Sequence, residues 1–411
     1  MGLALAFAVL VVNPALPGGY FLHPRMVAIV HLVTIAWLTG SILGAFYIVA
    51  PLALGLPLPV GRVDWLACAA YTVGTTGMVA HAWTGRYDAM AWSATLVLSP
   101  VLWVAGRTAL GLRGATAPWP VLLHVVLAFV NMVAAALLGI ALGLDRAHGL
   151  FGFSPRAAAF AHAHLAAVGW PMMMVVGLAY RLVPMFLPAK MPTGPGLAVS
   201  AVLLELGLVV VVATLLTGSA WLPIGAALIG GGLASFVKRM RAAVKHRLPR
   251  PPALPKRDWS TWQTHVAMAW LFVAAGLGIV LTLPSPGARS GLAWFYGVAG
   301  LVGFLSQVVV GIQGRLVPMY AYYRAMSASG GKPPIRAANQ LPTAALARPI
   351  FLLWTIGVPW LGWGLATGQR TSIRLASLML LAGVLLSGAY VAYLKRTAGQ
   401  PAPRILLPEV R

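Results

Sequence analysis

Long apolar runs separated by short polar segments dominate the sequence of 411 residues. A helix needs about 20 apolar residues to cross the hydrocarbon core of a bilayer, so each run predicts one transmembrane helix. The twelve predicted helices cover residues 1–16, 26–51, 62–83, 90–111, 117–143, 157–186, 195–217, 220–237, 259–283, 291–320, 345–367 and 373–394. The pattern therefore predicts an all-α integral membrane protein with a single membrane domain over residues 1–411.

Composition narrows the class of protein further. Hydrophobic residues make up 60% of the chain and charged residues only 9%, whereas about a quarter of the residues in a soluble domain are charged. A globular cytosolic protein is therefore excluded. Lys and Arg total 29 against 6 acids, but they lie between the apolar runs, which favours membrane orientation over nucleic-acid binding. The expected partner is the lipid bilayer, and no nucleic acid is expected.

The distribution of Lys and Arg predicts the topology. The connections after even-numbered helices, together with the C-terminus, hold 22 of these residues, and the odd connections hold 7. Because basic residues are retained on the inner side, both termini should be cytoplasmic, in a multi-pass protein of a bacterial- or archaeal-type plasma (inner) membrane. The most basic connection, 238–257, indicates a solvated inner loop, with an anionic-lipid contact as the alternative.

An internal repeat relates three of the predicted helices. Helices 2 and 6 carry His, Trp, Gly, Tyr and Pro at identical spacings. The residues are His31, Trp37, Gly44, Tyr47 and Pro51 in helix 2, and His164, Trp170, Gly177, Tyr180 and Pro184 in helix 6. Helix 10 continues the pattern, without the histidine, at Val298, Phe304, Gly311, Gly314 and Pro318.

The period of this repeat is four helices, since the three prolines are 133 and then 134 residues apart. Repeats of this kind mark a structural unit that has multiplied within one chain. The approximate units are residues 1–111, 117–237 and 259–394, and all three run in the same direction. We therefore expect three four-helix arcs related by pseudo-threefold symmetry.

Histidines are the candidate ligands for a metal or cofactor. The single cysteine, Cys68, excludes a disulfide framework, a thiolate cluster and the attachment motif of a c-type haem. His31, His162 and His164 lie near the outer ends of their helices, at similar depth. An imidazole inside a bilayer needs a hydrogen bond or a metal, and histidine is a common axial ligand of haem iron.

Helix geometry predicts which histidines face each other. At about 100° per residue, His162 and His164 lie about 200° apart on helix 6 and face different neighbours. His31 and His164 are equivalent in the repeat, so in a ring neither faces the other. The preferred axial pair is therefore His31 with His162, and the alternative is His31 with His164.

His164 then faces helix 10, where Tyr296 is the nearest polar residue. That gap holds either a second, five-coordinate haem or only a hydrogen-bonded His164. The sequence leaves both arrangements open.

The segment 161–184 resembles the tenth helix of the haem-copper oxidase large subunit, with cbb3-type oxidases and nitric oxide reductases as the closest branch. The residues concerned are Ala161-His162-Ala163-His164-Leu165-Ala166-Ala167-Val168-Gly169-Trp170 and Leu178-Ala179-Tyr180-Arg181-Leu182-Val183-Pro184. The resemblance implies twelve helices in three arcs, with a His-x-His motif serving two haems from opposite faces of one helix. For this chain it implies haem b as the cofactor, present once or twice.

The chain departs from the pattern of this family in two respects. Its His-x-His motif lies on helix 6 rather than helix 10, and it has no His-His dipeptide. The resemblance therefore implies a haem-bearing relative without the copper or non-haem iron ligands, and no copper is expected. Basic residues between helices 11 and 12 bind haem propionates in this family, which implies that role for Arg370 and Arg374; ordinary surface arginines are the alternative.

Glu205 is the acid that lies in the middle of a predicted helix. A carboxyl group at that depth must be protonated or paired. It is either a proton-transfer group or a neutral acid hydrogen-bonded between helices.

Three functions agree with these features. The first is a membrane b-type haem protein that transfers electrons or binds a diatomic gas at a haem in the outer leaflet, with a cytochrome or copper protein as redox partner or subunit. The second is a terminal oxidase or nitric oxide reductase with unusual metal ligands. The third is a transporter built on the same repeat. Whether the chain is an enzyme, and then an oxidoreductase, stays open, as does a homo-oligomeric state.

Overall fold

The computed structural model describes residues 1–18, 20–249, 258–283, 289–331 and 344–397. Every regular element in these ranges is helical. Three segments used in the topology prediction lie outside them, namely the end of the basic loop at 250–257, residues 332–343 after predicted helix 10, and the C-terminal residues 398–411.

The described residues form twelve helices, which correspond one to one with the twelve predicted from sequence. They are α1 (Gly2–Val12), α2 (Pro24–Leu54), α3 (Arg62–Thr84), α4 (Tyr87–Gly111), α5 (Trp119–His148), α6 (Pro155–Phe186), α7 (Gly196–Thr217), α8 (Leu222–Lys245), α9 (Trp259–Thr282), α10 (Arg289–Ala328), α11 (Ala344–Thr367) and α12 (Arg370–Thr397). The largest differences are in α8, predicted to end at residue 237 but ending at Lys245, and in α10, predicted to end at residue 320. The helix continues past Pro318 to Ala328, since neighbouring helices can compensate for a proline inside a membrane helix.

Within the described ranges, nine helices are long and apolar enough to cross a membrane. The three that do not meet this criterion are α1, α3 and α8. With 11 residues, α1 is about 17 Å long, whereas the hydrocarbon core is about 30 Å thick. Helices α3 and α8 have the length but are less apolar. The structure thus supports a multi-pass all-α membrane protein and nine of the twelve predicted spans.

Helices α2, α6 and α10 each contain a π-helical stretch of eight residues, in which the backbone hydrogen bonds reach five residues back. The stretches are Leu32–Thr39, Leu165–Met172 and Ala299–Ser306. They begin directly after His31, His164 and Val298, at intervals of 133 and 134 residues. Well under 1% of residues in globular proteins are π-helical, and such turns are frequent at functional sites.

The same three helices meet at the centre of the molecule. Their π-helical stretches contact one another pairwise, and Trp170 Nε1 donates a hydrogen bond to Thr39 Oγ1 across 3.1 Å. Nearer the other end, Val49, Leu182 and Leu316 belong to one buried cluster. These three residues are 133 and 134 positions apart, so equivalent positions of the repeat pack against each other.

The remaining helices surround this centre. Helices α3 and α4, α7 and α8, and α11 and α12 form three closely packed antiparallel pairs. Each pair comprises the third and fourth helices of one sequence unit. Helix α1 packs against both α12 and the π-helical stretch of α2, so the first and last units are in contact.

A buried ion pair joins α3 to α4 at one end of the bundle. Asp64, at the start of α3, is 9% exposed, and its Oδ1 atom accepts hydrogen bonds from Arg107 Nη1 (2.7 Å), Tyr47 (2.7 Å) and Trp103 (2.9 Å). The Gly61 backbone N–H donates to Oδ2. The charge of Asp64 is therefore compensated by groups from α2, α4 and its own helix start.

Candidate functional site

The imidazole rings of His31 on α2 and His162 on α6 face each other. Their centroids are 6.4 Å apart and their planes are inclined by 26°. Both side chains are partly accessible rather than fully buried. The structure thus brings together the two histidines that the sequence preferred as a pair.

Each of these two imidazoles donates one ring N–H to a backbone carbonyl. Nδ1 of His31 lies 2.7 Å from the oxygen of Val27, one turn earlier in α2. Nδ1 of His162 lies 2.9 Å from the oxygen of Ala135 in α5. Because a carbonyl oxygen only accepts hydrogen bonds, Nδ1 carries the proton when the ring is neutral, and Nε2 keeps a free lone pair. Metal-binding histidines commonly have this arrangement.

Helix α5 also provides the space for the His162 ring. A Cβ atom built on Gly139 would lie 2.8 Å from Cε1 of His162, closer than van der Waals contact permits. Gly139 follows Ala135 by one helical turn. One face of α5 therefore accepts the imidazole with a glycine and orients it with a carbonyl.

His164 faces the other way along α6, toward α10. Its Nδ1 atom lies 2.7 Å from the carbonyl oxygen of Phe160, and its Nε2 atom lies 3.3 Å from the hydroxyl group of Tyr296. The two rings have centroids 6.1 Å apart and planes inclined by 25°. The phenol is the donor, since Nδ1 holds the ring proton. This is the hydrogen-bonded arrangement that the sequence left open for His164.

The two ring pairs are related by the repeat. Tyr296 follows His162 by 134 residues, and His164 follows His31 by 133. The corresponding residues for the third gap, between α10 and α2, are Val298 and Ile29. Both are apolar and buried, with exposures of 6% and 4%. The gap between α2 and α6 thus contains two histidines, and the gap between α6 and α10 contains a histidine and a tyrosine. The gap between α10 and α2 contains two aliphatic side chains.

Aromatic side chains pack together at the end of this region where α2 begins. Phe21, just before α2, has its ring centroid 4.4 Å from that of Trp294 on α10. It also lies 5.9 Å from the ring of Phe160 on α6. Phe21 therefore contacts both α6 and α10 close to the helix ends that carry the histidines.

The donor set suits the two axial positions of a haem. Two metal–nitrogen bonds of about 2 Å, with about 1 Å from each nitrogen to its ring centre, place two coaxial imidazoles about 6 Å apart. The observed centroids of His31 and His162 are 6.4 Å apart, and the two rings are stacked, so a shared iron atom would require both rings to turn their Nε2 atoms toward it. Among the described residues, no group of three His, Cys, Asp or Glu side chains could hold a metal ion. A metal here would therefore take its remaining ligands from a macrocycle.

The arginines assigned to haem propionates by the resemblance are exposed and lie in the first turns of α12. Arg374 Nε donates a hydrogen bond to the carbonyl oxygen of Val11 on α1 across 3.2 Å. Helix α1 packs between α12 and the π-helical stretch of α2. Arg370 and Arg374 are thus at the end of the bundle where α2 begins, and no contact joins Arg374 to the histidine pair.

Glu205 on α7 has a partner on α5. Asn131 Nδ2 donates to Glu205 Oε2 across 2.7 Å, and Asn131 is 4% exposed. The carboxyl group therefore links two helices, as the hydrogen-bonding alternative requires. Its proton-transfer role stays a prediction.

The histidines outside the motif have other partners. His124 is fully buried, with Nδ1 on the carbonyl oxygen of Pro120 (2.7 Å) and Nε2 on Ser200 Oγ (3.0 Å). His81 Nδ1 lies 3.1 Å from Ser93 Oγ on α4. Neither imidazole reaches the central pair.

Sequence reasoning missed the groups on α5 that support His162, because a backbone carbonyl and a glycine give no chemical signal. It also missed that Tyr296 is the repeat equivalent of His162, although adding one period to the position of His162 would have found it.

Comparisons with protein-family models and with curated proteins give no match. The resemblance to the haem-copper oxidases therefore depends on the residues quoted above alone.

Proposed function

We propose that the protein is a membrane-embedded b-type cytochrome in which His31 and His162 are the axial ligands of one haem in the outer leaflet. One observation carries the proposal: two imidazoles 6.4 Å apart, each with its Nδ1 proton held by a carbonyl. When bound, the haem supplies a one-electron iron couple. A cytochrome or a copper protein is the corresponding redox partner.

If His31 and His162 both held the haem iron, they would leave no position on it for a gas, which favours electron transfer over gas binding. The carbonyl groups of Val27 and Ala135 fix the ring orientations and make both Nε2 atoms more basic. More basic ligands stabilise the oxidised metal.

The count of one haem follows from the three gaps. Only the gap between α2 and α6 offers two imidazoles with free Nε2 lone pairs. In the second gap, the Tyr296 hydroxyl occupies the lone pair of His164 at 3.3 Å. An iron atom between these two atoms would require about 4 Å. The hydrogen bond therefore argues against a second haem at His164.

We infer the three-arc architecture on the same basis. It is supported by the π-helical stretches at equal intervals, by the cluster of Val49, Leu182 and Leu316, and by the three antiparallel helix pairs. The contact of α1 with α12 agrees with a closed ring. On this architecture Arg370 and Arg374 are candidates to bind the propionates, because they lie at the end where α2 begins.

Absorption spectroscopy of the purified protein tests the proposal. A Soret band with sharp α-bands on reduction is expected, with iron and no copper in metal analysis. His31→Ala and His162→Ala should each abolish the low-spin spectrum. His164→Ala is the matched control, since it removes an imidazole of equal depth on α6, and it should keep the spectrum.

The absence of haem absorbance from protein expressed with adequate haem supply would refute the cytochrome and favour the transporter. Loss of the low-spin signal in His164→Ala but not in His162→Ala would overturn the pairing. Copper in stoichiometric amount would favour the oxidase or nitric oxide reductase.

A further inference from the structure

The connection between α8 and α9 begins as a helix rather than as a loop. The sequence predicts that the eighth span ends at residue 237, but α8 continues for about two further turns to Lys245. Five of the ten residues from 238 to 247 are Lys or Arg. Basic clusters directly after a membrane helix are typical of proteins that contact anionic lipids. The structure thus gives the first part of the basic connection a helical shape.

The two sides of this helical extension differ in polarity. Lys238, Arg241 and Lys245 are exposed, and their spacing of three and four residues places them on one side of the helix. Phe236 and Ala243 lie on the opposite side and are only 3% and 7% exposed. We call the three exposed residues Lys238, Arg241 and Lys245 the basic stripe.

Contacts with the segment between α6 and α7 hold the extension in place. Arg239 Nη1 donates a hydrogen bond to the carbonyl oxygen of Thr193 across 3.4 Å. The guanidinium group also lies against Gly196, where a Cβ atom would clash with it. Beyond the extension, the Leu248 N–H donates to the carbonyl oxygen of Pro188 across 2.9 Å. The extension therefore packs against its neighbours and presents the basic stripe on its outer side.

The described part of the chain provides no counter-ion for the basic stripe. Two of the described acids lie at this end of the bundle, and both are paired with other residues, Asp64 with Arg107 and Asp258 with Arg315. The other described acids lie inside the bundle or at its opposite end; they are Glu205, Asp88 and Asp145. The negative charge that compensates the stripe must therefore come from outside the described chain.

We propose that the basic stripe binds the phosphate groups of anionic phospholipids of the inner leaflet, such as phosphatidylglycerol. Lys238 directly follows the predicted span, and the stripe rises about 10 Å from there to Lys245. The headgroup region on each side of a bilayer is about 5–8 Å thick, so the stripe begins at the depth of the lipid phosphates. Anionic lipids are the nearest source of negative charge at this depth.

Lipid titration of the whole protein, followed by native mass spectrometry, tests the proposal. The affinity for phosphatidylglycerol should exceed the affinity for phosphatidylcholine and should fall as salt is added. The triple variant Lys238→Gln, Arg241→Gln and Lys245→Gln should bind phosphatidylglycerol about a hundredfold more weakly, at about fivefold per charge. The double variant Lys238→Arg with Lys245→Arg keeps the charges and should keep the affinity.

A triple variant at the opposite end of the bundle is the matched control. Arg86, Arg146 and Arg156 are also exposed, and their replacement by Gln removes the same charge. This variant should keep the wild-type affinity for phosphatidylglycerol. Equal falls in the two triple variants would show an effect of net charge alone and would overturn the proposal, as would unchanged affinity in the stripe variant.

A wild-type protein that binds phosphatidylglycerol no better than phosphatidylcholine would also overturn the proposal, and would favour an acidic protein as the partner of the basic stripe. None of these measurements involves haem. The lipid site and the cytochrome can therefore fail independently of each other.

Discussion

Tyr296 on α10 occupies the position that His162 occupies on α6. Each ring lies against the histidine of the preceding unit, with centroids 6.1 Å apart for Tyr296 and His164 and 6.4 Å apart for His162 and His31. The inclinations of the ring planes, 25° and 26°, agree as well. The second gap is therefore a copy of the first in which a phenol replaces an imidazole.

This relationship predicts that Tyr296→His converts the second gap into a second ligand pair. The haem-to-protein ratio should rise from one to two, because His164 would gain a facing imidazole in place of a hydroxyl donor. The ratio is measured by pyridine haemochrome assay and amino-acid analysis. Tyr296→Phe, which removes only the hydroxyl group, should keep one haem. A folded Tyr296→His protein that still binds one haem would show that the second gap cannot admit the macrocycle.

Substitution of Gly139 should displace the imidazole of His162. Gly139→Ala places a methyl group 2.8 Å from Cε1 of the ring, so the ring must shift away from its axial direction. We expect haem affinity to fall about tenfold, or about 1.4 kcal/mol, and Gly139→Leu to abolish the low-spin spectrum. Gly106→Ala on α4 is the control, because a Cβ atom there meets nothing within 4 Å. Equal affinity in Gly139→Ala and Gly106→Ala would contradict the role of α5.

The link between Asn131 and Glu205 should contribute to stability through its hydrogen bond rather than its charge. Glu205→Gln keeps an acceptor for Asn131 Nδ2 and should change the free energy of unfolding by less than about 0.5 kcal/mol. Glu205→Leu leaves a buried donor unpaired and should cost about 1–3 kcal/mol. Denaturation in mixed micelles measures both. A Gln variant as unstable as the Leu variant would show that the carboxyl group itself is needed.

Removal of Arg107 should destabilise the protein more than removal of both charges. Arg107→Leu leaves Asp64 buried without its cation, at a cost of about 3 kcal/mol in the free energy of unfolding. The double variant Arg107→Leu with Asp64→Asn should recover a large part of this loss, since no uncompensated charge remains. Chemical denaturation of the two variants provides the comparison. If the double variant is the less stable, the ion pair is not the source of the effect.

Much of the helical architecture could be predicted from sequence, because apolar runs of membrane length dictate helices directly. The facing of His31 and His162 could also be predicted as the preferred arrangement, since helix geometry and the repeat favoured this pair over His31 with His164. Nine of the twelve predicted spans are long and apolar enough to cross a membrane, whereas α1 is shorter and α3 and α8 are less apolar, so their spanning stays a prediction.

The immediate surroundings of the site could not be predicted in the same way. The carbonyl of Ala135 and the missing side chain of Gly139 act through position alone, and position depends on how α5 packs against α6. The donors around Asp64 come from three parts of the chain, Tyr47, Gly61 and Arg107 among them. No local pattern relates them, so the ion pair emerges only when the helices are assembled.

The π-helical stretches have a consequence for how this chain tolerates length changes. A wider turn changes the angular position, around the helix axis, of every residue that follows it. The faces of α2, α6 and α10 that pack together beyond the π-helical stretches therefore depend on those stretches. Deleting one residue from Leu165–Met172 would remove part of the wide turn and change the angular position of the rest of α6. It would turn Leu182 away from Val49 and Leu316. Single-residue deletions at these three places should therefore be far more harmful than substitutions there.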